Sequence, residues 1–238
     1  MKNVLITGGS RGIGRAMVER FADAGYSVAF TYRNSVDEAR AISEKFGALA
    51  ICADSAKEDQ VIAAVAEVKE KLGSIDCLIN NAGVSSFSLF TDLTLEQWND
   101  NLAVNLTGAF LFSKAVIPCM LEKKWGRIIN ISSMWGVVGS SCEVHYSTAK
   151  AGLIGMTKAL AKELGPSGIT VNAIAPGVID TDMNKDLGQE DIECLIDETP
   201  LMKIGCGRDV AEVALFLASD GASFITGEVM NVSGGFIM

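Results

Sequence analysis

Tyr146 and Lys150 stand four residues apart, and Ser133 precedes the tyrosine by thirteen positions. Side chains at i and i+4 project from one helix face, so the ammonium can lie close to the phenol. A phenol ionises near pH 10 in water, and a neighbouring positive charge favours the phenolate. A shift of about 3 units toward neutrality corresponds to roughly 4 kcal/mol of differential stabilisation. The expectation is a tyrosine whose pKa is drawn down by Lys150 and which passes a proton to or from an alcohol oxygen. On its own, Tyr-x-x-x-Lys also describes an exposed helix with one packed tyrosine and one solvated lysine. Its weight therefore depends on its surroundings.

Short apolar runs alternate with longer helical patterns along all 238 residues. Strands are expected at Asn3–Thr7, Ser27–Tyr32, Ala48–Ala53, Cys77–Asn80, Arg127–Ser132, Thr170–Ala175 and Glu228–Val232, and helices at about 12–24, 35–46, 57–72, 95–123, 145–164 and 208–218. The strand runs are nearly continuous in apolar residues, as in strands covered on both faces. This order specifies a doubly wound, Rossmann-type α/β domain, a seven-stranded parallel sheet flanked by helices. No linker, repeat or low-complexity tract interrupts it, so residues 1–238 read as a single domain. Ligands of such sheets bind beyond the carboxyl ends of the strands. That edge receives Thr7–Gly14, Tyr32–Ser35, Asp54-Ser55, Asn80–Gly83, Ser132–Gly136 and Pro176–Asp182, which are also the most unusual clusters in the chain.

At the first of these, TGGSRGIG runs from Thr7 to Gly14 between a strand and a helix. Gly8, Gly12 and Gly14 let the chain turn tightly and let its backbone approach a pyrophosphate, which the following helix N-terminus attracts. The spacing is G-x-x-x-G-x-G, not the dinucleotide fingerprint G-x-G-x-x-G. An acid ending the second strand would grip the ribose 2′-hydroxyl of NAD. Thr31-Tyr32-Arg33-Asn34-Ser35 stands there instead. Arg33, with Ser10 and Arg11, suits a 2′-phosphate, which favours NADP(H).

A net charge of -9, with a pI near 4.7, argues against binding to nucleic acid or to an anionic membrane surface. Six cysteines without C-x-x-C and a single histidine make a metal site unexpected. The cysteines, set in apolar stretches, read as reduced packing residues of a cytoplasmic protein. No signal peptide is expected, and no window is expected to approach the length of a transmembrane helix.

With these residues in order, the chain resembles the short-chain dehydrogenase/reductase family over essentially its whole length. The likeness rests on TGGSRGIG at 7–14, NNAG at 80–83, Asn105 in the long helix, Ser133, YSTAK at 146–150 and PGVIDTDM at 176–183. It implies that Tyr146 is the general acid in carbonyl reduction and that Lys150 lowers its pKa and holds the nicotinamide ribose. It further implies that Ser133 polarises the substrate carbonyl and that Asn105 holds a water leading from Lys150 to solvent. Preplaced donors of this kind stabilise the alkoxide-like oxygen formed when hydride arrives. Ser133 is chosen over Ser132 by its spacing to Tyr146. Cofactor contacts implied by the resemblance are Gly8, Ser10, Arg11, Gly12, Ile13 and Gly14, then Arg33 and Asn34, with Asp54 and Ser55 at the adenine. Asn80, Asn81, Ala82 and Gly83 would lie at the adenosine ribose. Pro176, Gly177, Ile179 and Thr181 would face the carboxamide and pyrophosphate.

Within the family the chain looks most like bacterial 3-oxoacyl-[acyl-carrier-protein] reductases of fatty acid biosynthesis. The supporting segments are Gly126–Ser133, Gly168–Asn172 and Asn231–Phe236. The implied reaction is NADPH-dependent reduction of a 3-oxoacyl thioester, on a homotetramer joined through the long helices and the last strand. Lys123, Lys124 and Arg127 around Trp125 would offer a basic patch to an acidic acyl carrier protein. Against this, Ser167 replaces a basic residue common in those reductases, and a charge of -9 disfavours an acidic partner. Trp135 beside Ser133 suggests an alternative substrate, a cyclic or steroidal ketone. His145 reads as a rim residue, and 183–207 as a lid over the substrate. A non-catalytic nucleotide sensor is the alternative of another class, although Ser, Tyr, Lys and Asn are all present. A methyltransferase would want an acid at the first turn or at the end of the second strand.

Overall fold

The computed structural model describes residues 2–184 and 188–237. Its strands are β1 (Asn3–Ile6), β2 (Ser27–Tyr32), β3 (Leu49–Cys52), β4 (Cys77–Asn80), β5 (Gly126–Ile131), β6 (Ile169–Pro176) and β7 (Val229–Val232). Its helices are α1 (Gly12–Asp23), α2 (Val36–Phe46), α3 (Glu58–Leu72), α4 (Leu95–Leu102), α5 (Gly108–Lys123), α6 (Trp135–Val138), α7 (Val144–Leu164), α8 (Gln189–Asp197) and α9 (Gly207–Ala218). Every expected strand is present, with ends within one residue of expectation. All pair in parallel, in the order β3-β2-β1-β4-β5-β6-β7, so the winding direction reverses between β1 and β4.

The strand pleat sends alternate side chains into two cores. Val4, Ile6, Cys77, Ile79, Ile129 and Ile131 meet α1, α2 and α9 through Met17, Val18, Phe21, Ile42, Val210 and Leu217. Leu5, Leu78, Ile128 and Val171 face the opposite way and meet α3, α5 and α7 through Val61, Val65, Phe112, Val116 and Leu164. Every residue of β1, β4, β5 and β6 is buried, which is why these strands are mostly apolar.

The expected helix 95–123 is divided. A capping box closes α4, with the Thr94 hydroxyl accepting from Gln97 N at 3.2 Å and Thr94 N donating to Gln97 Oε1 at 2.9 Å. Ala103–Thr107 then form a π-turn before α5 begins. Contrary to expectation, Leu95–Lys123 is long and apolar enough to cross a membrane by length and composition, with a window of mean hydropathy 1.5. Half of that window is buried inside the protein, where α5 packs on α3 and the sheet. The cysteines also depart from the expected picture. Cys77 and Cys119 are buried, whereas Cys52, Cys194 and Cys206 are exposed. Of the expected lid 183–207, residues 185–187 lie outside the described residues, while α8 carries its exposed remainder.

Candidate active site

The carboxyl ends of the strands open on one cleft of about 830 Å³, lined by the first turn, the β2, β3 and β4 exits, Ile131–Trp135, Tyr146, Lys150 and 176–182. Each of the clusters singled out by sequence reaches it, because a parallel sheet delivers every strand exit to the same edge.

The proton-handling groups converge from β5 and α7. Ser132 points back into the protein and donates to the Lys150 carbonyl at 2.9 Å. Ser133 faces the cleft beside Tyr146, where its hydroxyl accepts from Trp135 N at 3.1 Å. Lys150 lies over the Tyr146 ring, 5.5 Å from its centroid, and its ammonium donates to the Ile131 carbonyl at 2.9 Å. Both side chains are buried, and burial sets their titration. Desolvation pushes the Tyr146 phenol up to about 12; the Ser133 hydroxyl works against this, and the Glu143 carboxylate works with it. Desolvation alone brings Lys150 down to about 8. The expected downward shift of the tyrosine is thus overturned, because the cost of removing the phenolate from water outweighs what Ser133 returns. At neutral pH the pair is a protonated phenol above a largely charged amine.

Asn105 sits in the π-turn, where wide turns often mark functional sites. Its amide clasps Val84, donating to the carbonyl at 2.8 Å and accepting from the N–H at 3.2 Å, and it also donates to Asn101. A Cβ on Gly83 would fall 2.7 Å from Asn105 Oδ1 and 3.4 Å from Lys150 Nζ, so only glycine lets this amide and ammonium approach the turn.

The nucleotide half is built on α1. Its N-terminus has no side-chain cap and no acid in the first turn, so its free N–H groups and dipole face the cleft. Gly12 adopts φ +52, and a Cβ there would approach Thr181 to 3.3 Å across the gap. That bare, electropositive cradle fits a pyrophosphate. Thr7 braces it, its hydroxyl accepting from the N–H groups of Asn81 and Ala82, both at 2.9 Å. Asn81 in turn donates to the Thr7 and Gly8 carbonyls. At the other end, Arg33 is exposed and stands 3.9 Å from Asp54, whose carboxylate accepts from Ala56 N. Ser10, Arg11, Asn34 and Ser55 complete that end, and Ile13 and Gly14 continue its floor. Pro176, Gly177, Ile179 and Thr181 form the opposite wall.

Three expectations are corrected. Asn80 does not face the cleft: its amide donates to Ser113 Oγ at 3.1 Å and Asn130 Oδ1 at 2.8 Å, tying β4 to α5 and β5 inside the core. His145 is wholly buried and not at the rim; its Nε2 meets Ser86 Oγ at 2.8 Å beneath the loop after β4. Lys123 and Arg127 make no docking patch beside the cleft, because they lie at the opposite end of β5, roughly 20 Å away at about 3.3 Å per residue. Lys123 pairs there with Asp76 at 2.5 Å, and the buried Arg127 stacks on Trp125. Trp135 lines the cleft, with its ring packed edge-on against Phe236 at 5.8 Å. Sequence reasoning missed Ser85, Phe87 and Ser140 as cleft residues, since only the three-dimensional course of the 84–88 loop and of the segment before α7 brings them there.

A family model described as enoyl-(acyl carrier protein) reductase matches residues 8–237. Curated relatives named 3-oxoacyl-[acyl-carrier-protein] reductase FabG align end to end. The Aquifex aeolicus protein is 44% identical over 97% of this chain and 95% of its own length. The Staphylococcus epidermidis protein is 41% identical over 100% and 99%, and the Escherichia coli K12 protein 40% identical over 100% and 98%.

Proposed function

The chain belongs to the short-chain dehydrogenase/reductase family of nicotinamide-dependent oxidoreductases acting on CH–OH and C=O groups, and from that premise we propose that it reduces a 3-oxoacyl thioester to the 3-hydroxy product with NADPH. The observation that carries the reading is Ser133 and Tyr146 lining one end of a nucleotide-shaped cleft, with the Lys150 ammonium over the tyrosine ring. The full-length likeness to proteins named 3-oxoacyl-[acyl-carrier-protein] reductase selects the substrate class.

The reduced nicotinamide, when bound, supplies a hydride to the carbonyl carbon. Its pyrophosphate would be held by the Gly8–Gly14 turn and the start of α1, its 2′-phosphate by Arg33 with Ser10, Arg11 and Asn34, and its adenine by Asp54 and Ser55. Asn81–Gly83 would take the adenosine ribose, Lys150 and Tyr146 the nicotinamide ribose, and Pro176, Gly177, Ile179 and Thr181 the carboxamide side. The cofactor's reach along this cleft leaves the substrate against Ser133, Tyr146 and Trp135.

Ser133 donates to the ketone oxygen and polarises it. Tyr146 then gives its proton to that oxygen as negative charge develops there. A phenol held up by burial is the correct starting form, because it must arrive protonated. An alkoxide is a far stronger base than a phenolate, so the transfer still runs downhill. The Lys150 charge stabilises the phenolate left behind, and Asn105 steadies the 83–84 turn and would pass the replacement proton through a water. Leu195 of α8 would help cover the substrate in a lid at 183–207.

We further take the acyl group to be carried on an acyl carrier protein in the cytoplasm, with the chain acting as a homotetramer. Exposed Phe110 and Leu121 on α5, with Phe224 ahead of β7, are apolar surface suited to that assembly. A cyclic or steroidal ketone rested on Trp135, whose ring is already engaged by Phe236. The test is NADPH oxidation on an acetoacetyl thioester against a panel of cyclic and steroidal ketones. Faster turnover of any panel ketone than of the thioester overturns the assignment.

A further inference from the structure

We propose that Glu143 sets the charge selectivity of the substrate cleft, admitting uncharged 3-oxoacyl thioesters and turning away free 3-oxo acids. The inference rests on the reading that thioesters are the substrate. Glu143 immediately precedes α7 and lies three residues before Tyr146. Its side chain lines the same cleft as Ser133, Ser140 and Tyr146, yet the residue is only 5% exposed. The Ser85 hydroxyl donates to Oε1. Among the described residues no lysine or arginine forms an ion pair with it. The neighbouring His145 is committed to Ser86.

A carboxylate so placed is a fixed negative charge in a poorly solvated wall, where like charges interact strongly. Lys150 lies seven residues further along α7, roughly 10 Å at 1.5 Å per residue, with its ammonium against the Gly83 turn on the nucleotide side. The site is therefore polarised, positive toward the cofactor and negative toward the acyl group. In a 3-oxo acid only one methylene separates the ketone from the carboxylate. Seating the ketone on Ser133 and Tyr146 brings that carboxylate up to Glu143. The corresponding thioester group is uncharged and meets no such repulsion. The raised proton affinity of Tyr146, to which Glu143 contributes, has the same origin.

The test compares acetoacetyl-N-acetylcysteamine, methyl acetoacetate and acetoacetate at pH 7 in the wild-type chain and in Glu143→Gln, which keeps the shape and the Ser85 contact. The ratio of kcat/KM for acetoacetate to that for the thioester should rise at least tenfold in the variant. In the wild type, acetoacetate should inhibit thioester reduction at least tenfold more weakly than methyl acetoacetate, a comparison that needs no variant. A ratio unchanged within twofold, including equal losses on both substrates, overturns the proposal, as does equal inhibition by acid and ester. A wild type inert toward the thioester and the ester overturns the underlying reading instead, and the selectivity claim with it.

Discussion

Replacing Lys150 with methionine removes a buried ammonium while keeping most of its volume. Burial takes Lys150 from its ordinary 10.5 to about 8, so the folded chain gives up this proton earlier than the unfolded chain does. Below about pH 8 both states are charged, and the folded state carries the full burial cost. Between there and 10.5 the unfolded chain binds more protons, so stability rises with pH. At 1.36 kcal/mol per unit, the rise between pH 7 and 9.5 comes to about 2 kcal/mol. Tyr146 and Cys77, both pushed up to about 12 by burial, act in the opposite sense above roughly pH 9 because the unfolded chain ionises them first. Both remain in the variant, so they nearly cancel in the comparison. Urea unfolding of the two nucleotide-free proteins at one concentration, at pH 7.0 and 9.5, measures the difference. The wild type should gain about 2 kcal/mol on Lys150→Met between the two conditions. Parallel pH dependences would refute the argument, because the native lysine would then titrate as an exposed one.

Four further outcomes are expected. Tyr146→Phe should lower ketone turnover by roughly 10²–10⁴-fold, the usual worth of a general acid, while nucleotide binding measured by fluorescence changes little. The kcat/KM for reduction should fall as pH rises through about 8, where Lys150 loses its charge and Tyr146 keeps its proton; a flat profile to pH 9.5 contradicts this. Arg33→Ala should weaken NADPH by roughly 10–100-fold, the loss of a charge-assisted hydrogen bond, and leave NADH nearly unchanged; equal losses dispose of the 2′-phosphate assignment. Gly83→Ala should cost about 1–3 kcal/mol in thermal or urea unfolding and most of the activity, since the new methyl group meets Asn105 at 2.7 Å; a fully active, equally stable variant would remove Asn105 from the site.

Much of the architecture was legible because it follows from periodicity. Runs such as Val4–Ile6 and Cys77–Ile79 are apolar at every position, as a sheet covered on both faces requires. The cleft was legible because a parallel sheet places all its exits together. What escaped depended on burial and direction, which spacing does not encode. Asn80 and Asn81 are adjacent and identical in type, yet the strand pleat sends one into the core and its neighbour to the first turn. The proximity of Tyr146 and Lys150 was readable from four residues, but not the depth at which they lie, and depth reversed the expected shift of the phenol. Lys123 and Arg127 looked available to a partner because their place at the amino end of β5 is a property of strand direction, not composition. The partner of Glu143, Ser85, stands 58 residues upstream, a contact that spacing along the chain does not encode.

The wide turn at Ala103–Thr107 interrupts 95–123 without redirecting it. A π-turn accommodates one residue more than the α-turn it replaces. Because the extra residue is taken up within the turn, α4 and α5 keep the faces they would present in an unbroken helix. Losing one of these residues would let 95–123 wind as a single rod with both flanks in place, and the cost would fall on the Asn105 clasp on Val84. The bulge aims one amide at the cleft and leaves the two helices where a plain rod would set them.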